Sequence, residues 1–314
     1  MHKDCCSAQN ENIYSSEQID KDIIDYTKAI MLNPLDESAY KQRAKLYMET
    51  ECYANAIEDF SKAIDINPQE TEYLRERSRA FLFLGLNDNA LLDMIKAVEL
   101  LPNEQNYVYL SIVYSYMQEY EKAIYNLDKA IEINPEEPEY YYTKGWYYSL
   151  INKHYEAIMN YTDSINLDKK CPHFKFHARA YSYAVLEQFE NAIKDETRAL
   201  EVSPENTIYY YWRGLFNYKA QNYESALSDF KMRLNSEKND HCTYFEIAKI
   251  YYKLAQYDKA LENCDIAIKL DDSHFLHYLL KAEIFNKLNN PQEAEFNYSK
   301  AIEYGYNEQG DIEW

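Results

Sequence analysis

Small and apolar positions recur along this chain with a fixed beat. Alanine stands at Ala56, Ala90, Ala123, Ala157, Ala192, Ala226, Ala260 and Ala294, in steps of 34, 33, 34, 35, 34, 34 and 34 residues. Seven residues after each comes a second small slot, filled by Ala63, Ala97, Ala130, Ser164, Ala199, Arg233, Ala267 and Ala301. Twelve residues before the first alanine lies a third, Ala44, Ser78, Ser111, Gly145, Ala180, Gly214, Ala248 and Ala282. Large side chains frame that third series four residues earlier (Tyr40, Leu74, Tyr107, Tyr141, Phe176, Tyr210, Tyr244, Tyr278) and three residues later (Tyr47, Phe81, Tyr114, Tyr148, Tyr183, Asn217, Tyr251, Phe285). Spacings of three, four and seven place these residues on one face of a helix. Each period therefore predicts two amphipathic helices, whose small residues allow close approach while aromatic rings fill the space between.

Proline marks the ends of the second helices. Asn33-Pro34, Asn67-Pro68, Asn134-Pro135 and Ser203-Pro204 close four of them, and Pro102 occupies the same place in another, because proline cannot continue a helix. Aromatic, small, aromatic, then alanine, an apolar residue, a second alanine and proline resembles the tetratricopeptide repeat over nearly the whole chain. The resemblance implies an all-α, right-handed superhelical solenoid of antiparallel helix pairs. Eight units begin near residues 37, 71, 104, 138, 173, 207, 241 and 275. A half-unit at 16–36 carries a second helix alone, through Ile19, Ile23, Tyr26, Ala29 and Ile30. Residues 1–15 read as a disordered segment, 16–304 as the solenoid and 305–314 as a tail.

Comparing the units with one another exposes a correlation. Arg43, Arg77, Arg179 and Arg213 share one first-helix slot, and their units carry Asp59, Asp93, Asp195 and Asp229 sixteen residues later. Units with Leu110, Lys144, Ile247 or Lys281 in that slot carry Asn126, Asn160, Asn263 and Asn297 instead. This predicts an ion pair within the repeat, since a partly buried pair needs both members. The sixth unit departs most, with Asn217 in an aromatic slot, Arg233 in a small slot and Lys238 where proline is frequent, so looser packing is expected between the sixth and seventh units. Beyond Gly305 no polar capping helix is evident, which leaves the face of Tyr298 and Ile302 for the tail or a second molecule to cover.

Composition narrows the function classes. Among 314 residues are 34 tyrosines and only five glycines, which suggests few tight turns and no phosphate-cradling loop. A formal charge of −20 argues against nucleic acid, which needs a basic surface, and so disfavours a related RNA-binding helical repeat. No apolar run reaches the length of a membrane span, and the start Met1-His2-Lys3-Asp4 lacks a secretory h-region. The six cysteines follow neither a metal-finger nor a compact disulfide pattern, which fits a reduced, cytoplasmic chain.

In the resembled family, first helices line a concave groove that touches the ligand. The matching faces hold Lys41, Lys45, Arg75 and Arg79, then Ile112, Tyr116, Tyr142 and Trp146, and then His177, Tyr181, Tyr211, Tyr218 and Tyr252. The four cations predict a two-by-two basic patch able to grip a carboxylate or phosphate, although an ordinary solvated surface looks the same. The aromatic residues could seat partner side chains or serve inter-repeat packing. Of the family's chaperone-tail clamp only Lys41 fits, because Lys45, Glu76, Gln105 and Tyr109 stand in its other places. The asparagine ladder of some glycosyltransferase repeats is absent, with Gln42, Glu76, Tyr109, Thr143 and Ala178 in its slots. Cys171, His173 and His177 lie close enough in sequence to consider zinc, but His177 is a groove position and no metal is expected. No nucleophile–base arrangement, GxSxG or HExxH is present. The sequence thus points to a non-enzymatic, cofactor-free scaffold holding a peptide or helix, with a structural subunit associating through its ends or convex face as the alternative. Nothing in it names the partner.

Overall fold

The computed structural model describes residues 16–170 and 172–307, so the calls on residues 1–15 and on most of the tail lie outside it. The described residues form seventeen α-helices and no strand. A lone helix α1 (Ser16–Leu32) precedes eight pairs. These are α2 (Glu37–Glu49) with α3 (Tyr53–Ile66), α4 (Thr71–Phe83) with α5 (Asn87–Leu100), and α6 (Glu104–Tyr116) with α7 (Tyr120–Ile133). Then come α8 (Pro138–Leu150) with α9 (His154–Leu167), α10 (His173–Val185) with α11 (Phe189–Val202), and α12 (Ile208–Lys219) with α13 (Tyr223–Ser236). The last are α14 (His241–Lys253) with α15 (Tyr257–Leu270) and α16 (Phe275–Lys287) with α17 (Pro291–Glu303). The chain is an all-α repeat solenoid of two compact units, one through Ile151 and one from Asn152.

Within each unit the periodic slots do what their sizes predict. All eight alanines of the first series are buried, as are the small residues of the other two series apart from Arg233. In the first unit Leu74, Met94, Leu110 and Val113 form one core, against which Tyr40, Phe81 and Tyr114 pack. In the second, Cys264, Leu280 and Ile284 do the same with Tyr244 and Tyr251. Gly214 shows why one slot needs no side chain at all. A Cβ there would lie 2.7 Å from Cε1 of Phe230, closer than packed atoms tolerate.

The scarcity of glycine misleads about turns. Between first and second helices the backbone enters the left-handed region at Glu51, Gly85, Gln118, Asn152, Glu187, Gln221, Ala255 and Asn289. Only one of these eight is glycine. The turns are closed by backbone bonds that reach back five positions, such as Cys52 N–H to Tyr47 O and Gln256 N–H to Tyr251 O. This is the Schellman closure of a helix end, which usually recruits glycine.

The C-terminal end is better covered than expected. Tyr298 is half-buried, with its hydroxyl donating to Glu283. Tyr304 stacks on Tyr278 with centroids 5.5 Å apart, and Tyr306 on Phe275 at 6.1 Å. Ile302 remains exposed.

Candidate functional site

The arginine–aspartate correlation is a physical contact in all four repeats. Arg43 donates from Nε and Nη2 to the two oxygens of Asp59, each at 2.7 Å. Arg77–Asp93, Arg179–Asp195 and Arg213–Asp229 repeat the fork at 2.6–3.0 Å. Such bidentate geometry matches the planar guanidinium to the carboxylate. The remaining Nη1 donates to a hydroxyl in the preceding second helix: Thr27, Ser61, Thr162 and Thr197. One arginine therefore ties its own helix pair and also fastens it to the repeat before.

Where lysine replaces arginine the pairing changes direction. Lys144 meets Asp128 at 2.5 Å and Lys281 meets Asp265 at 2.6 Å, both carboxylates standing in the place of that hydroxyl. Asn126, Asn160, Asn263 and Asn297 bond instead to carbonyls one turn back on their own helices. The first-helix slot thus reads Arg, Arg, Leu, Lys and then Arg, Arg, Ile, Lys. Arg43 and Arg179 are 136 residues apart, Lys144 and Lys281 137. The array is written as a four-repeat block used twice.

The basic patch is not a patch of free cations. Lys41 and Lys45 both bond Glu72, at 2.5 and 3.0 Å. Burial opposes ionisation of Glu72, but the hydrogen bonds from the two lysines outweigh it and hold the carboxyl below its usual range. Arg79 donates to Glu76 at 2.8 Å. Arg75 donates to Asn106 at 2.9 Å and lies over the Tyr109 ring. Two carboxylates thus sit among the four cations.

The aromatic positions divide by role. Tyr116, Trp146 and Tyr181 are exposed, at 54%, 37% and 47%, and Tyr142 is half-buried. Ile112 packs against the first unit's core, Tyr211 against Phe230, and Tyr252 beside Tyr257. Tyr181 and Tyr218 are brought together. With Val185, Trp212, Leu215 and Phe216 they line an open pocket of about 270 Å³ in the second unit, which Lys219 and Lys249 border.

His177 is held from below. Its Nδ1 lies 2.6 Å from Oε1 of Glu196, a fully buried carboxylate whose other oxygen has no partner among the described residues. Burial pushes the Glu196 carboxyl up, against the pull of His177. Glu196 occupies a core register held elsewhere by Phe60, Met94, Leu127, Tyr161, Phe230, Cys264 and Tyr298. That departure was readable and was missed. His173 bonds the Tyr209 hydroxyl, and Cys171 lies outside the described residues.

A second missed cluster joins His241, His274 and His277, with ring centroids 4.7–5.9 Å apart. His277 is buried, its Nδ1 is 3.2 Å from Asp271 O, and its Nε2 faces His241 Nδ1 at 3.4 Å. Burial, joined by the neighbouring histidines, lowers its pKa to about 4. His274 and His277 stand three residues apart in one repeat, but His241 comes from the repeat before, so no local motif announces the three together. Among the described residues, no group of three or more His, Cys, Asp or Glu side chains is arranged to hold a metal ion. None of the described helices is long and apolar enough to cross a membrane.

Comparison with known proteins agrees with this geometry. Tetratricopeptide-repeat models match residues 177–234 and 245–306 in one form, and 38–70, 105–137 and 138–171 in another. The chain belongs to the tetratricopeptide-repeat family. Among solved structures it resembles the C-terminal part of a repeat-containing protein from Cytophaga hutchinsonii (TM-score 0.66, 17% identity, covering 75% of this chain and 97% of that one). A tetratricopeptide-repeat protein from Parabacteroides merdae gives 0.57 at 17% identity, covering 76% and 94%. MamA from Desulfovibrio magneticus gives 0.51 at 16%, covering 55% and 97%. Such low identities speak for the fold alone. No curated protein matches the chain.

Proposed function

We propose that this protein is a non-enzymatic scaffold that binds a peptide segment or helix of a partner protein along its first helices. The observation that carries this reading is the exposure of Tyr116, Trp146 and Tyr181 on those helices. Exposed aromatic rings on helices offer a large apolar area at little entropic cost, as binding hot spots do. The basic face of the first unit contributes through Lys45 and Arg79, whose side chains are 41% and 44% exposed. Affinity capture with wild type, a Lys45→Glu/Arg79→Glu variant and a Tyr116→Ala/Tyr181→Ala variant, compared by mass spectrometry, tests it. Loss of the same partner from either variant supports the reading, and an unchanged partner set from both contradicts it.

A second reading, association through the ends of the array, draws on the exposure of Met31 and Leu32 at the end of α1, of Leu35 just after it, and of Ile302 in α17. Light scattering across a concentration series separates the two, since a monomer at high concentration removes self-association.

A further inference from the structure

The pocket of the second unit has a chemistry that its own block repeat lacks. Ten residues line it, eight apolar or aromatic and two lysine, with no carboxylate among them, in a chain with 53 acidic residues. Trp212, one of these, lies edge-on to Tyr181 with centroids 6.3 Å apart and beside Phe216 at 6.0 Å. At the places of Tyr181, Trp212 and Leu215, 136 residues earlier, stand Lys45, Glu76 and Arg79. There Arg79 donates to Glu76, and Lys45 to Glu72. The pocket is therefore no by-product of the repeat, because the same register elsewhere holds self-paired charges.

Two lysines set the electrostatics of the pocket mouth. Lys249 lies 5.0 Å from the Tyr218 ring centroid and is already paired with Glu246 at 2.9 Å. Lys219 is exposed and has no ion-pair or hydrogen-bond partner among the described residues. One uncompensated positive charge thus borders a strongly apolar cavity. The buried Tyr218 hydroxyl, on a residue that lines the pocket, has no hydrogen-bond partner among the described residues. The net charge of −20 opposes an acidic partner at long range. At physiological salt, however, the Debye length is about 8 Å, so the nearest charges decide.

Resting on the peptide-binding reading above, we propose that this pocket anchors a large aliphatic or aromatic side chain of a partner peptide while Lys219 pairs with an acidic residue flanking that anchor. The ligand class is an acidic peptide segment with a bulky apolar residue. A side chain such as leucine or phenylalanine fits a space of about 270 Å³, and its burial supplies the affinity while the lysine supplies selectivity.

Fluorescence anisotropy with the full chain tests this. The probes are labelled peptides of one length with a central Phe flanked by Glu, the same with Ala for Phe, and the same with Lys for Glu. The Phe–Glu peptide is expected to bind at least about tenfold more tightly than its Ala counterpart. Lys219→Glu should weaken it about two- to fivefold, the scale of an exposed ion pair, and favour the Lys-flanked peptide. Val185→Glu, which puts a carboxylate at the mouth from a half-exposed position, should abolish anchored binding. Circular dichroism melts matching wild type would show that both variants fold. No binding by the Phe–Glu peptide at about 1 mM, or binding indifferent to Val185→Glu, overturns the pocket. If Lys45→Glu/Arg79→Glu then still loses a captured partner, the broader peptide-binding reading stands without it.

Discussion

At the residue scale, the Arg–Asp fork is the clearest case of chemistry legible before structure. Arg43, Arg77, Arg179 and Arg213 vary together with an aspartate in their own repeat, and comparison of units exposes that. The hydroxyl that takes the third guanidinium bond belongs to the preceding repeat, so an alignment cut at repeat boundaries hides it. The four cations of the first unit also have partners that the slot pattern does not show, since Glu72 pairs with Lys41 and Lys45, Glu76 with Arg79, and Asn106 with Arg75. Asp93→Asn alone should cost about 3 kcal/mol in urea unfolding, because Arg77 is left half-buried without its charge partner. Adding Arg77→Leu and Ser61→Ile recreates the set found at Asn126, Leu110 and Ile95, and should recover most of that loss. Additive losses across the three changes would refute the coupling. Glu196 poses the opposite case. Glu196→Met restores the residue type of Met94 and should raise stability by about 1–2 kcal/mol, as replacing buried charge with apolar volume often does. A measured destabilisation would show that the His177 bond outweighs the burial of its carboxylate.

At the scale of elements, helices and their faces were legible because small residues recur at periods that only a helix satisfies. The turns were not, because seven of the eight left-handed turn residues are ordinary L-residues. The flanking helix ends and the backbone bonds that close back five positions hold the strained conformation in place. Glycine relieves this strain, so Ala255→Gly, at a φ of 55°, should stabilise by roughly 0.5–1 kcal/mol. Gly85→Ala, at a φ of 71°, should destabilise by about 1 kcal/mol. Thermal melts of the pair give the comparison, and shifts of the same sign would contradict it. The joint between α13 and α14 shows a third outcome. These helices share the least contact of any consecutive pair in the second unit, as Arg233 in a small slot led one to expect. Arg233 also bonds Thr207 and Asp240, so the joint trades packing for polar fastening.

For the molecule as a whole, a repeat array is stabilised by units and by their interfaces, so local chemistry decides where it opens first. The histidine cluster makes the last two repeats sensitive to acid. His277 takes a proton near its ordinary pKa when unfolded but only near pH 4 when folded. Between those values the unfolded state binds more protons, so stability is complete above about pH 6.5 and falls as pH drops toward 4. His241, His274, Asp271 and Asp240 all stand close by, and protonated neighbours would add repulsion. The expected loss is roughly 2–3 kcal/mol at pH 4. Hydrogen exchange at pH 7 and 5 should show α14–α17 losing protection first, an effect that His277→Asn removes. Equal loss in α2–α5 would count against it.

The four-repeat block used twice gives the protein an internal reference. Positions one block apart share a backbone setting, so a difference between them records a change of use and not of architecture. Lys41 and Lys45 correspond to His177 and Tyr181, Arg79 to Leu215, and Phe60 to the buried Glu196. Phe83 corresponds to Lys219, the free cation at the pocket mouth. One copy presents cations paired with Glu72 and Glu76, while the other presents a greasy hollow near a buried acid. Exchanging these few side chains between copies would ask of a single chain which half carries the specificity, with the other half as its internal control.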